Sequence, residues 1–210
     1  MKKKWIIPIG LLTAFVLWTV AVYFVDVAPI GPNGSAVGFA AVNGWFHRLT
    51  GVHMTLYTLT DWLGLVPVAV CLGFAALGLC RWVRRKSIAK VDGDVLLMGG
   101  FYVLVLAAYL LFETIVINYR PVLIEGVLEA SYPSSTTLLT VCVMPAALVW
   151  LHRRTAPRWI LAVMVLFTAF MVFGRLFSGV HWLTDIIGGG LLGGGLTALY
   201  AASCDWLNGR

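Results

Sequence analysis

The chain has 210 residues, 60% of them hydrophobic and only 11% charged, with a formal net charge of +6. An ordinary soluble domain is about a quarter charged, and a soluble chain of this size cannot bury so much apolar surface. A water-soluble globular protein is therefore excluded, and one membrane domain over residues 1–210 is the simplest organisation.

Six stretches are apolar enough to cross a bilayer: roughly 5–25, 60–82, 95–117, 135–152, 158–176 and 182–203, each close to the about 20 residues that a span needs. The first follows "MKKKW". Its apolar run exceeds the roughly 7–15 residues of a signal-peptide core and no convincing A-x-A site follows, so it reads as a retained anchor. Residues 26–35, "DVAPIGPNGS", are punctuated by Pro and Gly and read as loop. Residues 36–50 mix apolar and polar positions at helical spacing, which predicts a short helix lying in the interface, with Trp45, Phe46 and His47 toward lipid headgroups. The predicted fold is all-α: a polytopic membrane protein of six transmembrane helices plus one short interfacial helix.

The basic residues fix an orientation. Lys2, Lys3 and Lys4 precede span one; Arg81, Arg84, Arg85, Lys86 and Lys90 follow span two; Arg153, Arg154 and Arg158 join spans four and five; Arg210 ends the chain. With six spans all of these fall on one side, which the positive-inside rule names cytoplasmic, and both termini lie there. The charge thus describes topology and gives no nucleic-acid surface. Arg48, Arg120 and Arg175 remain for the outer side. The cysteines, Cys71, Cys80, Cys142 and Cys204, fall in or beside apolar runs without metal-ligand spacing and read as small apolar residues.

Three stretches on the outer side carry the polar chemistry: "NYRP" (118–121) ending span three, "YPSSTT" (132–137) opening span four, and "GRLFSGVHWLTD" (174–185) joining spans five and six. His181 and Asp185 are four residues apart and share a helical face. A carboxylate there can accept the proton of one ring nitrogen and fix the tautomer, leaving the other nitrogen as nucleophile or base. An interfacial His beside a helix-capping Asp is the plainer alternative; the cost of placing Asp185 about a turn inside a span favours function. Arg120 and Arg175 are permanently charged planar donors suited to phosphate, although each alone also suits an interfacial anchor. Ser134, Ser135 and Thr136 follow Pro133, so hydroxyls and free N–H groups meet at a helix start, a place that caps itself or binds phosphate oxygens.

Taken together the three stretches resemble the type-2 phosphatidic acid phosphatase (PAP2) superfamily of membrane lipid phosphatases, whose pattern is K-x6-R-P, P-S-G-H and S-R-x5-H-x3-D. Here these read Glu113-x6-Arg120-Pro121, Pro133-Ser134-Ser135-Thr136 and Gly174-Arg175-x5-His181-x3-Asp185. The resemblance implies that His181 attacks phosphorus to form a phospho-histidine, that Asp185 orients it, and that Arg120, Arg175 and Ser134, with nearby N–H groups, hold the phosphate. It implies a lipid phosphate or diphosphate substrate, such as phosphatidic acid or undecaprenyl diphosphate, and neither metal nor cofactor.

Four positions depart from the pattern. Glu113 replaces the Lys, Ser135 the Gly, Gly174 the Ser, and Thr136 the His that protonates the leaving group. A positioned general acid contributes about 100- to 10,000-fold, and a phosphate leaving group needs it less than an alkoxide does. The expected preference is therefore for a diphosphate. A catalytically impaired protein that binds or helps move phospholipid head groups is the alternative. Glu113 is expected either to be a tolerated polar residue or to modulate the site, by pairing with Arg120 or by giving a proton if buried. The glycines Gly188, Gly189, Gly190, Gly193, Gly194 and Gly195 predict close helix packing along span six through small-xxx-small pairs.

Overall fold

The structure, a computed structural model, describes residues 2–209. Arg210, counted above with the cytoplasmic charges, lies outside the described residues. The chain forms α1 (Ile6–Phe24), α2 (Ala40–Thr50), α3 (Met54–Leu63), α4 (Leu65–Arg85), α5 (Gly93–Thr114), α6 (Ser135–His152), α7 (Arg158–Phe177) and α8 (Leu183–Asn208). Among the described residues there are no β-strands, only isolated bridges such as Tyr119 with Ala130.

Six helical segments are long and apolar enough to span a membrane: Lys3–Phe24, Met54–Arg85, Gly93–Thr114, Ser135–His152, Arg158–Phe177 and Leu183–Leu207. They match the six stretches read from hydropathy. The second differs at its start, since helix begins at Met54 rather than near 60 and α3 runs into α4 across a turn at Gly64. The polar residues of "MTLYTLTDW" hide that extra length from a hydropathy window. Outward side chains on these helices are bare, with Val103 and Leu166 each 68% exposed. Large aliphatic groups so exposed need hydrocarbon around them.

Helix α8 is the hub. It packs mainly on α1 and α6, and its glycines permit the approach. A Cβ on Gly193 would stand 2.9 Å from Val141 of α6, and one on Gly195 would stand 2.8 Å from Leu12 of α1. The predicted pairs are thus split between two neighbours, and Gly190 faces open space. The buried core around α8 includes Met98, Leu138, Cys142, Val143 and Tyr200.

One end of the bundle gathers opposite charges: Arg81 and Arg85 with Asp92, Arg154 with Asp94, and Arg153 with Asp205. These residues close α4, open α5, close α6 and close α8, so one end carries the basic clusters. His181, Asp185, Arg120 and Ser134 lie at the opposite end. There α2 docks on α8, where Asn43 Nδ2 donates to Thr184 Oγ1 (2.9 Å) and Thr184 N–H donates to Asn43 Oδ1 (3.2 Å). Trp45 is exposed, as expected of an interfacial residue. His47 instead turns inward, with Nε2 3.1 Å from the Gly179 carbonyl and its ring beside Trp182.

Candidate active site

Helix α8 starts on its own carboxylate. Asp185 sits in the first turn, and its Oδ2 accepts the Trp182 N–H at 2.9 Å. That satisfies a donor the helix start would otherwise leave free. The same carboxylate accepts from Asn118 Nδ2 (3.3 Å) and from the Ser131 hydroxyl. Asp185 is fully buried and His181 is 3% exposed.

The expected direct imidazole–carboxylate bond is replaced by a three-residue chain. Nδ1 of His181 is 3.9 Å from Asp185 Oδ2, too far for a hydrogen bond, while the Ser131 hydroxyl is 3.1 Å from Nδ1. A serine has one proton to give. With that proton on Asp185, Ser131 Oγ accepts from Nδ1–H, and Nε2 keeps its lone pair. Nε2 is buried and has no hydrogen-bond partner. Burial first, then the charges of Arg120 and Arg175, hold the imidazole pKa well below its ordinary value. A neutral ring with a free Nε2 has the form a nucleophile needs.

The two arginines converge on one ring. The Arg175 guanidinium carbon is 4.8 Å from the Tyr57 centroid and that of Arg120 is 5.8 Å from it. Arg175, 2% exposed, donates from Nη2 to Asp61 Oδ1 (2.9 Å) and Thr136 Oγ1 (2.7 Å). Its Nη1 reaches Tyr57 O (3.4 Å) and Thr60 Oγ1 (3.5 Å), while its Nε has no partner. Arg120 Nε lies 3.0 Å from Glu129 Oε2 without hydrogen-bond alignment, and Nε and Nη1 are both buried without a hydrogen-bond acceptor. Unmade hydrogen bonds on buried guanidinium groups are costly; together with a bare imidazole nitrogen they form an arrangement chemically able to hold an anion.

Ser134 is fully buried and caps α6, its hydroxyl accepting the Thr137 N–H at 3.5 Å. Its own N–H donates to the Asp185 carbonyl at 3.0 Å, which ties the start of α6 to the start of α8. Ser135 and Thr136 face a groove of about 520 Å³ between α4, α5 and α6. Its polar head is Asp61, Ser135 and Thr136, and its body is apolar, with Val68, Val105 and Leu139 among its lining. Glu113 is exposed and does not pair with Arg120, whose carboxylate neighbour is Glu129; it lines a small polar pocket with Tyr109, Ser131 and Ser135.

The glycine at 174 has a local cause. A Cβ there would lie 2.7 Å from the Thr60 methyl, so α3 can pack on α7 only because the position is bare. A second close approach occurs at Gly179, whose φ is +70° and whose Cβ would meet the Gly51 carbonyl at 2.0 Å. Sequence reasoning missed Asp61, Ser131 and Tyr57, and it gave no role to Asn118 although that residue opens the "NYRP" stretch. For Asp61 a signal existed, an acidic residue at the head of an apolar span; Ser131 and Tyr57 are ordinary loop and interface residues in sequence.

The fold and site define a class: a polytopic α-helical membrane protein with a buried imidazole and two guanidinium groups at one end of its bundle. The sequence model of the PAP2 superfamily matches residues 98–208, which contain Arg120, Ser134, Arg175, His181 and Asp185. The chain belongs to the PAP2 superfamily. Its fold is similar to that in a structure described as the first transmembrane PAP2 type phosphatidylglycerolphosphate phosphatase, from Bacillus subtilis. The TM-score is 0.60 at 19% identity, covering 96% of this chain and 98% of that one. Among curated proteins none matches the sequence.

Proposed function

We propose that the protein hydrolyses a lipid phosphate or diphosphate by attack of His181 Nε2 on phosphorus, through a phospho-histidine. The observation that carries this is a group of buried polar atoms without a hydrogen-bond partner on the motif residues: Nε2 of His181, Nε and Nη1 of Arg120, and Nε of Arg175. Arg120 and Arg175 hold the non-bridging oxygens and offset the charge that builds up as phosphorus is attacked. Ser131 and Asp185 hold the ring and stabilise it as it gains positive character. The charge compensation comes from arginine, so the reaction as proposed calls on no metal. The lipid tail lies in the apolar groove, whose polar head adjoins Arg175 through Asp61 and Thr136.

The membrane orientation belongs to the same proposal. The paired basic end is cytoplasmic by the positive-inside rule, with both termini there, and the site opens on the extracytoplasmic side. A diphosphate lipid, such as undecaprenyl diphosphate, is favoured over a monoester such as phosphatidic acid unless another side chain gives the proton, because Thr136 stands where the motif has its proton-donating imidazole. The same replacement favours a second reading, a protein that binds head groups without turning them over. Phosphate release from a panel of lipid phosphates and diphosphates by the purified protein separates the two. The phosphatase predicts release that disappears in His181→Ala; no release from any of them leaves the binding protein.

A further inference from the structure

Resting on the phosphatase assignment above, we propose that Asp61 donates the proton to the leaving group, the task Thr136 cannot perform. Three observations place it there. Asp61 Oδ1 and Thr136 Oγ1 accept from one and the same nitrogen, Arg175 Nη2, at 2.9 and 2.7 Å, so the carboxylate stands beside the side chain that replaces the imidazole. Asp61 lines the head of the apolar groove with Ser135 and Thr136. Its side chain is 58% exposed although its partner Arg175 is buried, so the carboxylate faces open space.

The groove supplies the direction. A phosphorus held by Arg120, Arg175 and His181, with its tail among Val68, Val105 and Leu139, must run its P–O–C bridge past the groove's polar head, and Asp61 is the carboxylate there. Glu129 lies against Arg120, and Glu113 lies in the adjoining small pocket; neither lines the groove. In the empty site Asp61 pairs with Arg175. A bound phosphate takes up that guanidinium's donors and so frees the Asp61 carboxyl group to turn toward the bridging oxygen. Nε2 of His181 then bonds to phosphorus, the P–O bond to the lipid breaks, and the leaving oxygen takes the Asp61 proton and departs as an alcohol. In the second step water attacks phosphorus, the P–N bond breaks with its electron pair returning to Nε2, and inorganic phosphate leaves carrying the water's protons, while the exposed Asp61 side chain regains its proton from solvent.

The test compares leaving groups in the full-length purified protein. Phosphatidic acid leaves as an alkoxide that needs a proton, whereas nitrophenyl phosphate leaves as a phenolate that does not. Asp61→Asn keeps an oxygen for Arg175. It is expected to lower kcat on phosphatidic acid about 100-fold or more and to change nitrophenyl phosphate by less than about 5-fold. Adding Thr136→His to Asp61→Asn returns an imidazole and is expected to recover at least about 10-fold on phosphatidic acid. Equal losses on the two substrates, or no loss on phosphatidic acid, overturn the role. His181→Ala keeps the two levels apart. If wild-type activity depends on His181 while Asp61→Asn does not discriminate, or if wild-type protein acts on a diphosphate lipid but on neither of these substrates, only the Asp61 role fails; if it releases phosphate from neither of them nor from a diphosphate lipid, both proposals fail.

Discussion

Ser131 stands between His181 and Asp185, with its hydroxyl 3.1 Å from the ring nitrogen that the carboxylate itself approaches only to 3.9 Å. Removing that hydroxyl leaves a buried N–H and a buried carboxylate short of a partner, at about 1–3 kcal/mol. Ser131→Ala should therefore lower kcat by roughly 10- to 100-fold with little change in KM. Ser131→Thr, which keeps the hydroxyl, should retain most of the activity. Steady-state kinetics on all three proteins check this; a Ser131→Ala protein with wild-type kcat would remove the relay.

The close packing of Gly174 on Thr60 predicts a stability pattern. Gly174→Ser restores the residue of the family motif but places a Cβ 2.7 Å from the Thr60 methyl. It should destabilise by about 1–3 kcal/mol, the usual cost of overpacking. Thr60→Ser removes that methyl and keeps the hydroxyl that Arg175 reaches at 3.5 Å. The double variant should recover most of the loss, as read from thermal unfolding in detergent.

The depressed imidazole pKa sets a pH dependence. A ring whose folded pKa is lowered is neutral, and so nucleophilic, at every pH above that lowered value. Activity therefore should not fall as pH drops through about 6.5, the free imidazole value. The physical cause is burial first, then the positive charges of Arg120 and Arg175. Removing one charge by Arg120→Gln should move any acid limb that reports His181 upward in pH, alongside a rise in KM from the lost phosphate contact. The kcat/KM profile against pH reads both.

The groove predicts a chain-length effect. Val105→Trp or Leu139→Trp places an indole among its apolar lining. Filling it should raise KM for a long-chain lipid phosphate by about 10-fold or more, since each buried CH₂ is worth about 0.8 kcal/mol. A short-chain analogue, which does not reach those residues, should be turned over as before. Equal KM changes on both substrates would point to a general distortion of the site.

Much of the fold is legible in the sequence because a bilayer imposes one simple requirement, a run of apolar residues long enough to cross it. The run fails as a guide where a span begins on polar residues that face other helices. Span two is legible only from about Thr60 onward, so residues 54–59 of α3, Tyr57 among them, stay hidden although the rest of the span is plain. The spacing of Arg175, His181 and Asp185 is visible because it lies within one short stretch. The contribution of Ser131 arises only when the approach to α6 meets the start of α8, a contact made over 50 residues or more of chain. Glu113 shows the opposite limit: spacing invites a pairing with Arg120, but the loop brings Glu129 there instead.

The central claim is that Nε2 of His181 becomes bonded to phosphorus. The protein should be mixed with a lipid phosphate radiolabelled in its phosphate, quenched rapidly in alkali, where a phospho-histidine survives, and digested. Label is expected on the peptide that contains His181, lost on acid treatment and absent from His181→Ala. Phosphate release without label on that peptide, or release that persists in His181→Ala, would contradict it.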